Sequence, residues 1–85
     1  MFTVYILYSE KYNKIYIGFT SNLEARINAH NSVNNKGFTK RYMPWAIIYT
    51  EEFEAKEEAL KREKQLKSAK GRLFAWDIVN KTKNP

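Results

Sequence analysis

The stretch that decides the fold is Lys14-Ile15-Tyr16-Ile17-Gly18-Phe19-Thr20, which follows a similar segment over residues 2–8. Both segments are rich in β-branched and aromatic residues and a polar turn separates them, so they predict a β-hairpin. If Tyr8 pairs with Asn13, Tyr5 and Tyr16 lie directly opposite each other and their phenols line one patch on one face of the sheet. Packing of both tyrosines in the core is the alternative, and it is the commoner use of tyrosines in strands.

A helix is predicted over residues 22–31, because Asn22 offers an N-cap and Glu24 lies in the first turn. Arg26 and His30 are four residues apart and therefore share a face of this helix. His30 stands on the apolar stripe, where a hydrophobic residue is expected. It is either a buried histidine with satisfied hydrogen bonds or a functional one.

Residues 31–43 are predicted to form a loop that interleaves cations with aromatic side chains: Lys36, Phe38, Lys40, Arg41 and Tyr42. Cations hold phosphates and aromatic faces can stack on bases, so this composition suits contact with nucleic acid. It is also ordinary loop composition.

A third strand is predicted in the apolar run over residues 45–49, with Phe53 as its end. Continuous apolarity favours a strand that is covered on both sides. The most regular helical pattern follows, over residues 54–69.

After a turn at Gly71, a short closing helix is predicted over residues 73–79, with Phe74, Trp76 or Ile78 returning to the core. Residues 81–85 are expected to be a frayed tail. The expected organisation is therefore one domain over residues 1–80.

Glu63 lies within the apolar arc of the helix at 54–69, four residues after Ala59 and three before Leu66. A carboxylate there is costly unless it is paired, hydrogen-bonded or bound to a cation. An ion pair with Lys67 is the simplest alternative to a site. Residues 61–72 carry six basic side chains against one acidic one, so we expect one strongly positive face on this helix.

Composition limits the classes of function. Eighty-five residues form one domain with a small stability margin, and the absence of cysteine excludes disulfides and fits a reducing cytoplasm. The N-terminus reads as a strand and not as a signal peptide, and no apolar run is long enough to predict a membrane span. A net charge of +6 indicates a polyanionic partner, with nucleic acid ahead of an anionic membrane.

These residues together resemble the GIY-YIG nuclease superfamily, in the small standalone branch that is similar to the N-terminal catalytic domain of the nucleotide-excision-repair endonuclease. The segments that carry the resemblance are residues 3–7, 15–20, 22–31 and 58–67. The resemblance implies an α/β (α+β) fold, with a small three-stranded sheet flanked by helices in the order β-β-α-β-α-α.

Carried over by position, the resemblance implies a catalytic site of five residues: Tyr5, Tyr16, Arg26, His30 and Glu63. The motif glycine is Gly18, where the missing Cβ lets backbone or substrate approach closely. The chain departs from the family pattern in Thr3-Val4-Tyr5, which replaces Gly-Ile-Tyr, and in Phe19, where the repair enzymes tend to carry lysine. Asn80 is the candidate for a late family asparagine, at a long spacing from Glu63.

The resemblance implies a metal-dependent DNA endonuclease of low intrinsic sequence specificity, acting in DNA repair or recombination on branched or damaged DNA. In this hypothesis Glu63 holds Mg²⁺ or Mn²⁺, Arg26 holds the scissile phosphate, and Tyr5 or Tyr16 is the general base. His30 either assists the leaving group or orients a tyrosine.

The residues expected to contact nucleic acid are Gly18, Lys36, Lys40, Arg41, Lys61, Lys64 and Lys67. No membrane partner is expected, whereas a homodimer or a protein that supplies targeting is compatible with so small a domain. Two alternatives of other classes stay open: a nucleic-acid-binding module with the nuclease fold and little catalysis, and a protein-interaction module.

Overall fold

The computed structural model describes residues 1–32, 34–35 and 37–83. The described elements are β1 (Phe2–Ser9), β2 (Lys14–Thr20), α1 (Leu23–His30), α2 (Phe38–Arg41), β3 (Ala46–Phe53), α3 (Lys56–Lys67) and α4 (Ala69–Lys83). The strands form one antiparallel sheet in the order β2-β1-β3. This confirms the predicted α+β fold. The short helix α2 is the difference, because the sequence predicted a loop throughout residues 31–43.

The β1–β2 hairpin closes at Asn13, whose φ of 54° is one that asparagine tolerates better than most residues. The Tyr8 hydroxyl donates to Asn13 Oδ1 at 2.9 Å. Tyr5 pairs with Gly18, so the predicted pairing of Tyr5 with Tyr16 is wrong by two residues. A shift of two residues leaves every side chain on its own face. Tyr5 and Tyr16 are therefore diagonal neighbours on one face, with ring centroids 6.3 Å apart.

The sheet separates two apolar clusters, because side chains alternate along β1. On one face, β1 packs against α3 and α4, and the buried residues there are Val4, Ile6, Tyr8, Ile15, Ile17, Ala59, Leu66, Ala75 and Val79. On the other face, Tyr5, Leu7 and Trp45 are buried against partly buried residues of α1. The predicted site tyrosines belong to this second face.

Gly71 sets how closely α3 and α4 approach each other. It is buried in the first turn of α4, so the predicted turn at this position is wrong. A Cβ at Gly71 would overlap the backbone of Leu66 and the carbonyl oxygen of Gln65 at the end of α3. Glycine is thus required because two helix backbones meet here, and not because the chain turns.

β3 is an edge strand in which every residue is exposed or partly exposed, so the prediction that it is covered on both sides is wrong. Ile47 is 42% exposed. The pairing with β1 shifts between Ile6 and Leu7, which leaves Ile48 as an extra residue. Because of this irregularity, Ile48 and Tyr49 both pack against the α3–α4 cluster although they are consecutive. A bulge, and not burial on two faces, accounts for the apolar run.

α4 is longer than the predicted closing helix and continues to Lys83, so residues 81–83 are helical where a frayed tail was predicted. Residues 84–85 lie outside the described part of the chain. Trp76 and Ile78 pack against the core as expected, whereas Phe74 is 38% exposed. Within the described ranges, no helix combines the length and the apolarity needed to cross a membrane.

Candidate functional site

Tyr5 and His30 form the buried centre of the site. The Tyr5 hydroxyl oxygen lies 3.0 Å from His30 Nε2, and both side chains are buried. A Cβ on Gly18 would lie 2.7 Å from the Tyr5 hydroxyl oxygen. Gly18 therefore makes room for the protein's own phenol. The expectation was a close approach by backbone or substrate, and the group that approaches Gly18 within the protein is a side chain.

The second ring nitrogen of His30, Nδ1, is hydrogen-bonded to a residue of α2. His30 Nδ1 lies 3.0 Å from the hydroxyl oxygen of Thr39, and the Asn35 amide donates to the His30 carbonyl oxygen at 2.9 Å. Trp45 Nε1 donates to the Thr39 carbonyl oxygen at 2.7 Å, which fixes α2 in turn. His30 is thus a buried histidine with both ring nitrogens hydrogen-bonded.

Sequence reasoning missed Asn35 and Thr39. They are short polar residues in a polar segment, and neither their spacing nor their composition distinguishes them from ordinary loop residues. Their role depends on α2, which brings the Thr39 hydroxyl back to His30.

The ionisation of the buried pair follows from its surroundings. Burial lowers the pKa of His30 below its ordinary value of 6.5, and the charge of Arg26 lowers it further. Burial raises the pKa of Tyr5 above 10.0, although hydrogen bonding from Arg26 opposes the shift. At neutral pH the phenol is therefore protonated and the imidazole is neutral. Tyr5 can then donate to His30 Nε2, while Nδ1–H donates to Thr39.

Tyr16 and Arg26 face a cavity beside this pair. The cavity has a volume of about 260 Å³, and Tyr16, Arg26 and His30 contribute to its lining. Hydrogen bonding to Tyr5, and more weakly to Tyr16, raises the pKa of the Arg26 guanidinium. Tyr16 is partly exposed, whereas Tyr5 is 0% exposed. The described residues of the cavity lining thus present one accessible phenol and one accessible cation.

Glu63 lies on α3 and lines neither the cavity nor the depression with Tyr16 and Lys67 beside it. Its charge also raises the pKa of Tyr5, although burial, Arg26 and Tyr16 each have a larger effect on that pKa. Its side chain is 18% exposed. Lys67 Nζ lies 3.7 Å from Glu63 Oε2, so the ion pair that the sequence offered as an alternative is also present. Lys67 is 53% exposed, and a pair so long and so solvated contributes little to stability.

The donor set at Glu63 is a single carboxylate. Over the part of the chain that the structure describes, no group of three or more His, Cys, Asp or Glu residues could enclose a metal ion. One carboxylate suits a hard cation that keeps several waters and binds substrate phosphate, as Mg²⁺ does. The residues present therefore fit Mg²⁺ or Mn²⁺ held through Glu63, and they do not fit an all-protein zinc site.

Four of the six basic side chains over residues 61–72 line one groove between α3 and α4, which agrees with the predicted positive face, and the other two lie elsewhere. Lys67 lies in a depression with Tyr16, Phe38 and Arg72, next to the cavity. Lys61 and Lys64 line a separate groove between α3 and α4.

An exposed aromatic patch joins the hairpin turn to α2. Tyr42 lies 5.0 Å from Phe38 and 5.5 Å from Tyr12, measured between ring centroids. Lys14 Nζ and the Arg41 guanidinium lie over the Tyr42 ring at 5.5 Å and 5.9 Å. Phe38 belongs both to this patch and to the cavity lining. The predicted mixture of cations and aromatic rings is thus found next to the site.

Two predicted residues lie away from the site, and Lys36 lies outside the described residues. Lys40 is exposed on α2. Asn80 is exposed on α4 and lines neither the cavity nor the depression beside it.

Comparison with known proteins identifies the family of the chain. The sequence model of the GIY-YIG catalytic domain matches residues 1–76. The chain is 42% identical over 58 residues to a UPF0213 protein of Staphylococcus haemolyticus, covering 68% of this chain and 71% of that protein. It is 44% identical over 64 residues to a UPF0213 protein of Clostridium perfringens, covering 75% and 68% of the two chains. For a UPF0213 protein of Limosilactobacillus reuteri the identity is 39%, with 71% and 64% covered. No solved structure is significantly similar. The chain belongs to the GIY-YIG family of nuclease-type catalytic domains, together with these small UPF0213 relatives.

Proposed function

We propose that this protein is a metal-dependent endonuclease that hydrolyses phosphodiester bonds in DNA with low intrinsic sequence specificity. The observation that carries the proposal is that Tyr16 and Arg26 line one cavity beside the buried Tyr5–His30 pair. A phenol that can reach water and a group that can hold a phosphate therefore face the same space. Membership of a nuclease-type family, whose enzymes generally depend on a divalent metal, supports the same function.

Glu63 is the residue that would hold the metal ion. When bound there, Mg²⁺ or Mn²⁺ supplies Lewis acidity toward the phosphate and the attacking water. The low exposure of the Glu63 side chain favours this role, because a buried carboxylate is stabilised by a cation.

Arg26 is suited to bind the scissile phosphate. Its side chain is exposed at the cavity, and the guanidinium can donate two parallel hydrogen bonds to a phosphate. Negative charge that develops on the phosphate during the reaction is stabilised by the same group.

Tyr16 is the better candidate for the general base. A general base must reach the water whose proton it takes, and Tyr16 lines the cavity whereas Tyr5 is fully buried. Arg26 lines the same cavity as Tyr16, so a cation is available beside the proposed base. In this proposal Tyr5 is a positioning residue, which holds Arg26 and Tyr16 in place from the buried layer next to the cavity.

His30 is better suited to orient Tyr5 than to protonate the leaving group. Both of its ring nitrogens are hydrogen-bonded and the side chain is 7% exposed, so it has no free donor at the cavity. A neutral imidazole can be buried without the cost of burying a charge, which suits a residue that orients Tyr5.

The DNA strand would continue from the cavity across the basic and aromatic surroundings. Lys67 and Arg72 share a depression with Phe38, and Arg41 lies over the ring of Tyr42, which neighbours Phe38. Cations of this kind attract phosphates without reading sequence. We therefore propose branched or damaged DNA in repair or recombination as the substrate, with targeting supplied by DNA shape or by a partner.

One observation favours the alternative, a nucleic-acid-binding module with little catalysis. The ammonium of Lys67 already stands beside Glu63, and it competes with a metal ion for the carboxylate.

A cleavage assay on plasmid and branched DNA with Mg²⁺ or Mn²⁺ tests the proposal. The wild type and the control variant Glu52→Ala, on the exposed face of β3, should nick the DNA, whereas Glu63→Ala should not. If no variant cuts DNA but salt-sensitive binding persists, the binding module is the correct function. If the wild type neither cuts nor binds DNA, both functions are contradicted.

A further inference from the structure

We propose that the groove between α3 and α4 is a second nucleic-acid-binding surface, which holds a part of the strand away from the scissile bond. This α3–α4 groove is lined by Lys61, Arg62, Lys64, Gln65, Lys70 and Phe74, among others. The inference rests on the proposed function for the class of partner and does not depend on cleavage.

The groove is large and basic. Its volume is about 760 Å³, compared with about 260 Å³ for the catalytic cavity. The described residues that line it include four cationic side chains and no carboxylate. A concave surface of this size and sign is suited to a polyanion.

The α3–α4 groove is separate from the cavity and from Glu63. Successive residues of a helix are about 100° apart, so Glu63 falls about 60° to one side of the buried Leu66 and Arg62 about 40° to the other. Among the described residues, none lines both the cavity and the groove. A ligand in the groove therefore makes its own contacts and does not occupy the reaction site.

The cations of the groove differ in how they are held. Arg62 is bound by Glu51, with Nε to Oε2 at 2.9 Å, and its guanidinium lies 5.8 Å from the centre of the Phe74 ring. In contrast, Lys61, Lys64 and Lys70 are exposed, and among the described residues no carboxylate lies within ion-pair distance of them. Arg62 shapes the floor of the groove, and the lysines supply charge to a partner.

Charge complementarity identifies the partner as the phosphodiester backbone. Lys61 and Lys64 are three residues apart on α3 and lie side by side, about 5–6 Å apart at Cβ, which suits neighbouring phosphates of one strand. Flexible ammonium groups bind phosphates as point charges without sequence preference. The domain measures 33 × 31 × 22 Å, close to one turn of duplex at about 34 Å, so one DNA molecule can reach both surfaces.

The test is fluorescence anisotropy of a labelled DNA duplex across a salt series in EDTA, so that no cleavage is needed. The variant is Lys61→Gln with Lys64→Gln. The matched control is Lys81→Gln with Lys83→Gln, which removes the same charge at the far end of α4, outside the groove. Circular dichroism checks that both variants are folded.

The groove variant should bind roughly ten- to thirty-fold more weakly near physiological salt, and its slope of log K against log salt should fall by about 2. The control should change both quantities much less. If the groove variant matches the control in affinity and slope, the proposal is overturned. A groove that binds only an acidic protein would give this result.

Cleavage provides an independent readout. If the wild type cleaves DNA, the groove variant should show a raised KM with kcat unchanged, because the groove is not part of the reaction site. A fall in kcat with KM unchanged would overturn the separation of the two surfaces. Absence of cleavage by the wild type would contradict the proposed function and leave the binding result to stand by itself.

Discussion

The Tyr5 hydroxyl and His30 Nε2 are 3.0 Å apart in the buried layer between the sheet and α1, and this hydrogen bond joins elements that are distant in sequence. The other nitrogen of His30 extends the connection to Thr39 on α2. The sheet, α1 and α2 are therefore fixed to one another directly below the cavity. This network explains how so small a domain can hold Tyr16 and Arg26 in a defined geometry.

Tyr5→Phe should lower the free energy of unfolding by about 1–3 kcal/mol. The substitution leaves His30 Nε2 buried without a partner, and that desolvation cost is not recovered elsewhere. Urea unfolding followed by fluorescence measures the change. Tyr12→Phe, at an exposed tyrosine of the hairpin turn, should be within about 0.5 kcal/mol of wild type. Equal stabilities of the two variants would mean that the buried hydrogen bond contributes nothing.

Tyr16→Phe should slow DNA cleavage by about 10²–10⁴-fold, because it removes the accessible general base. DNA affinity and stability should change little, since the ring that packs near His30 and Trp45 is kept. Single-turnover rates at saturating enzyme measure the effect. If Tyr5→Phe slows cleavage more than Tyr16→Phe does, the roles of the two tyrosines are reversed.

The free energy of unfolding should fall as the pH falls below about 6.5. Burial lowers the pKa of His30 in the folded protein below its ordinary value of 6.5, so the unfolded chain binds more protons in this range. The stability that depends on neutral His30 is complete above pH 6.5 and is lost below it. Urea unfolding between about pH 7.5 and pH 5.5 should show a shallower dependence for His30→Gln than for wild type. Parallel curves would contradict the buried neutral imidazole.

Gly71→Ala should destabilise the fold by about 3 kcal/mol, because its Cβ overlaps backbone atoms at the end of α3 and the helices must separate. Gly37→Ala is the matched control, since a Cβ there meets only the Asn35 side chain at 3.6 Å. Thermal unfolding of the two variants provides the comparison. A wild-type melting temperature for Gly71→Ala would show that α4 does not depend on this close approach.

Sequence patterns predicted the elements whose signal is local. The alternation in β1 and β2 and the 3.6-residue period of α3 located the sheet and the helix that carries Glu63. The same period singled out Glu63, because a carboxylate interrupts an apolar arc. The predicted register was wrong by two residues, but an even shift keeps each side chain on its face of the sheet. The prediction that Tyr5 and Tyr16 share a face was therefore confirmed.

What the sequence could not predict depends on contacts between distant segments. The hairpin register depends on the positive φ of Asn13, and the helical environment of Gly71 depends on how α3 meets α4. Thr39 carries no local sign that its hydroxyl meets His30. The division of the basic residues of α3 follows from the packing of α4, which covers one flank of α3 and makes the groove.

The central claim is that Glu63, Arg26 and Tyr16 form one catalytic site, and the rate of DNA cleavage by Glu63→Gln tests it most directly. The variant should bind DNA in EDTA at least as tightly as wild type, because it removes a negative charge. In Mg²⁺ or Mn²⁺ its single-turnover rate should fall by about 10³-fold, while Glu52→Gln should cleave like wild type. A cleavage rate for Glu63→Gln within a few-fold of wild type would contradict the account.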